Sequence, residues 1–262
     1  MQEEKYLLKE DEVHVWHVDA GLVSSSEFWN VLNGEETERA RRYHFSKDRE
    51  NFLVSRGVLR SLIAHYTNNS PENVEFHYNK YGKPFLKGEE SLKFNVSHSG
   101  RILLFAFARN KELGIDVEQI RHDFAELEIA GSFFSSSEVL QLSVLPEEIR
   151  KLAFFKCWTL KEAYIKAKGK GLSVPLDSFD VSVCPEAASE VKELLRVPDD
   201  PEESRKWKIF SLSVALGYCA ALAVEGEPLE IRHFSWTDEV TSGPSFLGRQ
   251  KFGCNKPVNS IK

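Results

Sequence analysis

Two carboxylates stand two residues apart in the segment GIDVE at 114–118. In an extended strand, residues two apart face the same side, so Asp116 and Glu118 project together. Neighbouring carboxylates repel each other unless a cation lies between them. The pair therefore indicates a metal site, and the alternative is a solvated edge strand that carries two acidic residues.

A third carboxylate belongs to the segment WTLKEAYIKAKGKGL at 158–172. In a helix, Trp158, Glu162 and Lys166 share one face because they are four residues apart. The segment's other lysines are Lys161, Lys168 and Lys170. A lysine-bearing helix that runs into a Gly-Lys-Gly loop suits anionic oxygen atoms. The alternative is a surface pair of Glu162 and Lys166, with glycine simply ending the helix.

The segment FNVSHSG at 94–100 predicts a strand that ends near Val96, followed by the polar turn SHSGR. Side chains of Ser97 and His98, together with exposed backbone amides, can bind phosphate, and a plain hairpin turn is the alternative. A hydrolase nucleophile and base are disfavoured, because adjacent strand residues point to opposite faces and the chain has no GxSxG motif.

Taken together, the three segments contain the parts of a phosphoryl-transfer site. Asp116, Glu118 and Glu162 could hold one Mg²⁺, which prefers oxygen ligands and keeps substrate phosphates in its shell. The lysines and the histidine could hold the rest of a polyphosphate. Such a site accelerates attack on phosphorus mainly by positioning and charge neutralisation.

Composition limits the classes of partner and the compartment. A net charge of −6 disfavours general nucleic-acid binding, which needs a basic surface. The beginning of the chain is charged, and the longest apolar run, 102–108, is too short to span a bilayer. The four scattered cysteines contain no CxxC pair, which favours reduced thiols. We therefore expect a cytoplasmic protein that binds neither nucleic acid nor membrane.

The elements that must position these residues form two similar sets. Helical spacing covers 35–66, 133–142 and 149–168, and KFNVSHSGRILLFAFA aligns with KIFSLSVALGYCAALAV at an offset of roughly 115 residues. This predicts an α+β fold of two lobes from an internal duplication, related by a pseudo-twofold axis, each a small antiparallel sheet on a long helix. The predicted domains are an N-terminal lobe (1–112), a C-terminal lobe (113–234) and an extended tail (235–262).

The order and separation of the three segments, with YGKP before the first, resemble the signature motifs of the Sfp-type 4'-phosphopantetheinyl transferases. The resemblance covers roughly residues 10 to 225. It implies a Mg²⁺-dependent enzyme that moves the phosphopantetheine arm of coenzyme A to a serine of an apo carrier protein and releases adenosine 3',5'-bisphosphate. The two-lobed fold of that family agrees with the repeat.

The resemblance also implies a role for each reacting residue. Asp116, Glu118 and Glu162 would coordinate Mg²⁺ with the coenzyme A pyrophosphate, and Glu162 would accept the serine proton directly or through water. Lys166 would contact the pyrophosphate and help the leaving group. Lys161 would neutralise phosphate charge nearby.

Further residues would hold coenzyme A. His98 and the Ser97 region would bind its phosphates, including the 3'-phosphate. The backbone of Tyr81, Gly82, Lys83 and Pro84 would line the adenine pocket. Arg49 or Arg56, on the first long helix, is a further candidate phosphate ligand.

The expected partner is an apo carrier protein of acyl, polyketide or peptidyl type. Because such carriers and this chain are both acidic, we expect docking on an apolar patch with local basic residues, around 124–134. A duplicated chain builds its own cleft, so we expect a monomer. The alternatives are another Mg²⁺-dependent phosphoryl enzyme, a non-catalytic module that binds coenzyme A or a carrier protein, and a two-lobed protein whose charges are merely solvated.

Overall fold

The structure is a computed structural model that describes residues 6–121, 126–183, 191–228 and 230–236. Phe124, in the predicted docking segment, and nearly all of the predicted tail lie outside these ranges. Within them, no helix has both the length and the apolar character needed to cross a membrane.

Six helices and twelve strands make up the described part of the chain. The helices are α1 (Gly34–Arg41), α2 (Ser46–Thr67), α3 (Glu126–Phe133), α4 (Ser136–Ser143), α5 (Glu147–Lys168) and α6 (Pro201–Lys206). The strands are β1 (Glu12–Asp19), β2 (Phe76–Tyr78), β3 (Pro84–Leu86), β4 (Leu92–Ser99), β5 (Ile102–Arg109), β6 (Leu113–Gln119), β7 (Asp180–Val181), β8 (Val191–Glu193), β9 (Leu195–Arg196), β10 (Trp207–Leu212), β11 (Tyr218–Glu225) and β12 (Glu230–Ser235).

Three strands of each four-stranded sheet repeat one topology, and the fourth strand lies on a different edge in each sheet. The first sheet has the order β12-β1-β5-β4 and the second β6-β11-β10-β8. In each, a strand is followed by a 22-residue helix, α2 or α5, and then by an antiparallel hairpin whose second strand pairs back with the first strand. The prediction of an α+β fold with two similar lobes is confirmed, since this unit of strand, long helix and hairpin occurs in both.

Three apolar cores hold the molecule together. One lies between α2 and the first sheet, around Trp16, Leu62 and Phe105, and the second lies under α5, around Phe154 and Phe179. The third contains residues from both sheets, including Val13, Val15, Leu104, Ile115, Val117 and Leu222. The lobes therefore pack against each other through buried apolar side chains, which gives the residues at their junction a defined geometry.

Three local features differ from the sequence predictions. The strand of FNVSHSG continues through Ser99, and the turn is centred on Gly100, whose φ of +58° favours glycine. The helix predicted over 133–142 is two helices, because Ser135 and Glu138 form a reciprocal capping box that begins α4. Finally, β12 returns to the first sheet and runs parallel to β1. The domain boundaries remain a prediction, and they assigned most of β12 to the C-terminal lobe rather than to the first sheet.

Candidate active site

A glycine lets α5 approach β6 closely at the junction of the lobes. A Cβ atom at Gly114 would lie 2.2 Å from the carbonyl oxygen of Ala163 and 2.3 Å from the nitrogen of Ala167. Only glycine fits this contact without movement of the helix. The close approach brings Glu162 and Lys166 of α5 next to the acidic residues of β6.

Asp116 is the most deeply buried of the predicted metal ligands, with 3% of its surface exposed. Its Oδ1 accepts hydrogen bonds from Ser97 Oγ at 2.8 Å and from Lys166 Nζ at 2.6 Å. Its Oδ2 is buried and has no hydrogen-bond partner within the described part of the chain. A buried carboxylate oxygen without a partner is costly, so this atom is a candidate ligand for a cation.

Glu118 and Glu162 complete the acidic cluster. Burial raises the pKa of both carboxyl groups, and repulsion from Asp116 raises both further. A hydrogen bond from Ser99 Oγ at 2.9 Å opposes this shift at Glu118, and the charge of Lys166 opposes it at both. The three predicted ligands therefore influence one another electrostatically, as ligands of one cation should.

In this structure the three carboxylates of the acidic cluster do not surround one point at which an ion would lie. Among the described residues, no three His, Cys, Asp or Glu side chains are arranged so that they could hold a metal. The Lys166 ammonium lies on Asp116 Oδ1 and neutralises part of the charge that a cation would meet. The unpartnered Asp116 Oδ2 and the all-oxygen donor set nevertheless fit Mg²⁺ chemistry, and Lys166 would need to turn toward a phosphate.

The structure does not bring Lys161 to this cluster. Its ammonium is fully buried, pairs with Glu138 at 2.8 Å, and donates to the carbonyl oxygens of Leu176 and Phe179 at 2.7 and 2.6 Å. The predicted phosphate contact of Lys161 is thus contradicted by its position. The reason is helical geometry: neighbouring residues project about 100° apart, so Lys161 and Glu162 serve different faces.

The YGKP loop is shaped by an asparagine that the sequence analysis missed. Asn79 Oδ1 accepts the N–H groups of Tyr81 and Lys83 at 2.9 and 3.0 Å, and Asn79 Nδ2 donates to the Gly169 carbonyl at 2.7 Å. Gly82 has a φ of +88° in this turn. The loop is thereby attached to the end of α5, and an asparagine just before a glycine turn is the signal that could have revealed this.

The Lys83 ammonium has a structural function in this arrangement. It donates to Glu112 Oε2 at 2.9 Å, to the Leu113 carbonyl at 3.1 Å and to the Ala167 carbonyl at 2.9 Å, which uses all three of its donors. Only the backbone of this residue is therefore available to a ligand. Tyr81 is exposed, with the Lys80 ammonium 4.9 Å from its ring centre.

A cavity of about 400 Å³ opens between α2, the loop and β4. It is lined by Arg39, Tyr43, Asp48, Asn51, Phe52, Ser55, Arg56, Leu59, Pro84, Val96, His98, Gly100 and Leu103. Arg56 lies 4.7 Å from the ring centre of Phe76 and 3.2 Å from a carboxylate oxygen of Glu36. Of the two predicted arginines, Arg56 lines the cavity and Arg49 does not.

The cavity adjoins the acidic cluster through His98. Burial and the nearby Lys166 charge lower the pKa of the His98 imidazole. Ser97 points the other way, toward Asp116, and its hydroxyl is fully used by three hydrogen bonds. It is therefore part of the carboxylate cluster rather than of the cavity wall. Arg39, which the sequence analysis missed, adds a second guanidinium to that wall.

Comparison with known proteins covers both lobes. A family model described as the 4'-phosphopantetheinyl transferase superfamily matches residues 112–223, and a model of the 4'-phosphopantetheinyl transferase N-terminal region matches residues 24–110. The first range contains the whole acidic cluster.

Individual relatives carry the same name. The 4'-phosphopantetheinyl transferase HetI of Nostoc sp. is 34% identical over 224 residues, which are 84% of this chain and 90% of HetI. The 4'-phosphopantetheinyl transferase Sfp of Bacillus subtilis is 35% identical over 59% of this chain and 67% of its own length. A putative 4'-phosphopantetheinyl transferase of Synechocystis sp. is 39% identical over 55% of this chain and 59% of its own length.

Proposed function

This chain belongs to the Sfp-type 4'-phosphopantetheinyl transferases, and from that premise we propose that the junction of β4, β6 and α5 is its active site. The enzyme is a transferase that moves the phosphopantetheine arm of coenzyme A to an apo carrier protein. The observation that supports this location is Asp116, whose buried carboxylate has one oxygen bonded to Ser97 and Lys166 and the other unpartnered.

We propose that Asp116, Glu118 and Glu162 hold Mg²⁺ together with the coenzyme A pyrophosphate. When bound, this ion supplies positive charge that neutralises the leaving group and orients the phosphate for in-line attack. Asp116 contributes its unpartnered Oδ2. Burial first and repulsion from Asp116 second raise the pKa of Glu118 and of Glu162, and a cation would relieve that repulsion.

The cavity beside the cluster is the proposed site of the nucleotide end of coenzyme A. A 3'-phosphate could contact hydrogen-bond donors on the cavity wall, which come from His98, Arg56 and Arg39. The two arginines also carry a permanent positive charge. Pro84 carries the loop backbone into the same cavity, where adenine would lie. His98 adjoins Lys166, and a bound pyrophosphate would therefore reach from the cavity to the acidic cluster.

The reaction then follows from the residues around the phosphate. The serine oxygen of the carrier attacks the phosphorus that bears the pantetheine arm, and its proton passes to the Glu162 carboxylate. The bond from that phosphorus to the bridging pyrophosphate oxygen breaks, and adenosine 3',5'-bisphosphate leaves. The Lys166 ammonium, 2.6 Å from Asp116, turns to the developing negative charge on the leaving group.

Carrier docking is proposed at the exposed apolar end of α3. Phe133 has 46% of its surface exposed and packs edge-to-face against Trp158, one helical turn before Glu162. The first turn of α3 carries the acidic Glu126 and Glu128, so this helix does not supply the basic residues that we expected beside the patch. Apolar contact therefore carries the docking proposal, and a charge-reversed Glu126→Lys variant should couple more rapidly to an acidic carrier.

Two further proposals concern the oligomeric state and the location of the enzyme. Each chain contributes both walls of the cleft, which supports a monomeric enzyme. The cysteines inside the described ranges, Cys157 and Cys219, are buried free thiols, and this supports the proposal of a reducing, cytoplasmic location.

The activity is tested by mixing the purified protein with coenzyme A, MgCl₂ and apo carriers of acyl, polyketide and peptidyl type, and recording intact carrier masses. We expect one phosphopantetheine to be added to at least one carrier and the addition to stop with EDTA. Coenzyme A binding without transfer to any carrier would instead favour the non-catalytic module. Transfer that persists in EDTA would contradict the Mg²⁺ proposal alone.

A further inference from the structure

Strand β4 contacts the edge of β6 through side chains rather than through its backbone. Asn95, Ser97 and Ser99 alternate along β4 and so share the face that looks toward β6. Each accepts a backbone hydrogen bond: Ile115 N–H to Asn95 Oδ1 at 2.9 Å, Val117 N–H to Ser97 Oγ at 3.3 Å, and Gln119 N–H to Ser99 Oγ at 3.0 Å. These bonds satisfy the amides on the free edge of the second sheet.

The backbone bonds fix the direction of the two hydroxyl hydrogens. Because each serine oxygen already accepts an amide, its own hydrogen is free to be donated. Ser97 donates to Asp116 Oδ1 at 2.8 Å, and Ser99 donates to Glu118 Oε2 at 2.9 Å. The acceptors are the two carboxylates of β6 that we propose as metal ligands. Each of these acidic residues comes directly before the residue whose amide donates to the same serine.

We propose that Ser99, acting with Ser97, is a positioning residue that orients the acidic cluster for its divalent cation. The inference deepens the proposed function and rests on it. The Ser99 hydroxyl is used by the Glu118 carboxylate and the Gln119 amide, so no role in binding substrate is assigned to it. It acts through Glu118, because a hydrogen bond to Oε2 selects one orientation of the carboxylate and leaves Oε1 for the ion. Through this contact the first lobe sets the geometry of metal ligands on the second.

The neighbouring Asn95 provides a matched control. It makes the same kind of amide bond across the same strand edge, but it donates to no carboxylate of the cluster in the described residues. Asn95→Ala and Ser99→Ala each remove one inter-lobe acceptor. Only Ser99→Ala also frees a metal ligand. A purely structural function of these residues therefore predicts similar losses for both variants, whereas positioning predicts a difference.

The test measures Mn²⁺ binding to the full chain by electron paramagnetic resonance in the presence of coenzyme A, without carrier. Mn²⁺ takes the same oxygen ligands as Mg²⁺. We expect Ser99→Ala to weaken Mn²⁺ binding about tenfold or more, as removal of outer-shell partners usually does. Asn95→Ala should bind Mn²⁺ as the wild type does, and Ser99→Thr, which keeps the hydroxyl, should restore binding. In the transfer assay, the Mg²⁺ concentration for half-maximal rate should rise in parallel.

The possible outcomes separate this inference from the proposed function. Equal Mn²⁺ affinities of Ser99→Ala and wild type, in an enzyme that transfers phosphopantetheine, would overturn the positioning inference alone. A wild type that neither transfers nor binds Mn²⁺ would overturn the proposed function, and the inference with it. If Ser99→Ala does not fold, Ser99→Cys keeps the size of the side chain with a much weaker donor, and the same loss of affinity is expected.

Discussion

Asp116 contacts both lobes through one carboxylate oxygen, while its other oxygen has no hydrogen-bond partner among the residues that the structure describes. Ser97 reaches it from β4 and Lys166 from α5, so three elements meet at a single atom. Lys166 also donates to Ser97 at 2.9 Å, which closes a triangle of hydrogen bonds. The hydrogen bond from Ser97 holds the Asp116 carboxylate in place, so only Lys166 has to turn when a cation or phosphate arrives, and a carboxylate fixed in advance favours electrostatic catalysis.

Replacing Glu162 by glutamine tests the proposed base. The amide keeps the size of the side chain but cannot accept the serine proton, so we expect the transfer rate to fall at least about 100-fold. Coenzyme A affinity, measured by calorimetry, should change much less because Glu162 does not line the cavity that we propose for the nucleotide. A Glu162→Gln enzyme with near-normal turnover would show that another group takes the proton.

Lys161 and Lys166 lie on one helix and should respond to the same substitution in opposite ways. Lys161→Met leaves Glu138 buried without its ion pair, so we expect a loss of about 3–5 kcal/mol in the free energy of unfolding. Lys166→Met removes a partly exposed ammonium from Asp116, whose buried carboxylate keeps its hydrogen bond from Ser97, so we expect a smaller loss of unfolding free energy than in Lys161→Met, while transfer is largely lost. Denaturant titrations and initial rates of both variants provide the comparison. Strong inactivation of a stably folded Lys161→Met enzyme would contradict the structural assignment of this lysine.

Among the secondary-structure elements, the contact of β6 with α5 determines whether the site forms. Gly114 faces the backbone of α5 at a distance that admits no side chain. Two of the proposed ligands come from β6 and one from α5, so the separation of these elements sets the distance between carboxylates. Even a displacement of about 1 Å can reduce turnover by about 100-fold.

Gly114→Ala should therefore lower both stability and activity. The added methyl would lie 2.2 Å from the Ala163 carbonyl oxygen, and relief of this overlap should cost about 1–3 kcal/mol of unfolding free energy. Gly34→Ala in α1 is the matched control, since nothing lies within 4 Å of a Cβ there and alanine favours the helix. Thermal melts compare the stabilities of the two variants, and initial transfer rates compare their activities. Wild-type activity of Gly114→Ala would show that the helix position is unimportant.

Periodic elements of this chain could be predicted, whereas their contacts across lobes could not. The strand GIDVE and the helix around Glu162 can be predicted from local residue spacing. The duplicated hairpins can be predicted from the alignment of the two similar segments of sequence. The face to which Lys161 points depends on the buried Glu138, 23 positions earlier in the chain, and no local pattern encodes that pair. The alternation of Asn95, Ser97 and Ser99 is visible in the sequence, but the sequence does not show that these side chains bond to the edge of β6.

For the molecule as a whole, β12 joins the two ends of the described chain. It runs beside β1 and brings His233 to His17, whose ring nitrogens are 2.8 Å apart. A local reading assigned 230–234 to the second lobe, because a short strand of mixed polarity shows no preference for one sheet. Pairing of β12 with β1 joins residues more than 200 positions apart in the chain, and no local pattern encodes such a contact.

Acid should destabilise the enzyme through the histidines of β1. Burial lowers the pKa of His14 to about 4 and of His17 to about 3, from an ordinary value of 6.5. Between these values the unfolded chain binds more protons than the folded chain, so stability is greatest above pH 6.5 and falls as pH drops toward 4. Each histidine contributes about 1.4 kcal/mol per pH unit in that window.

Urea titrations at several pH values between 7.5 and 4.5 measure this loss. His17→Gln removes one titrating group while keeping a polar partner for His233, so the fall in unfolding free energy below pH 6.5 should be smaller than in the wild type by about 1.4 kcal/mol per pH unit. A slope as steep as the wild type's would mean that His17 is not the group that takes up a proton. In that case, the association of β12 with β1 would tolerate acid, and His14 together with other histidines of lowered pKa, such as His98, would account for the loss.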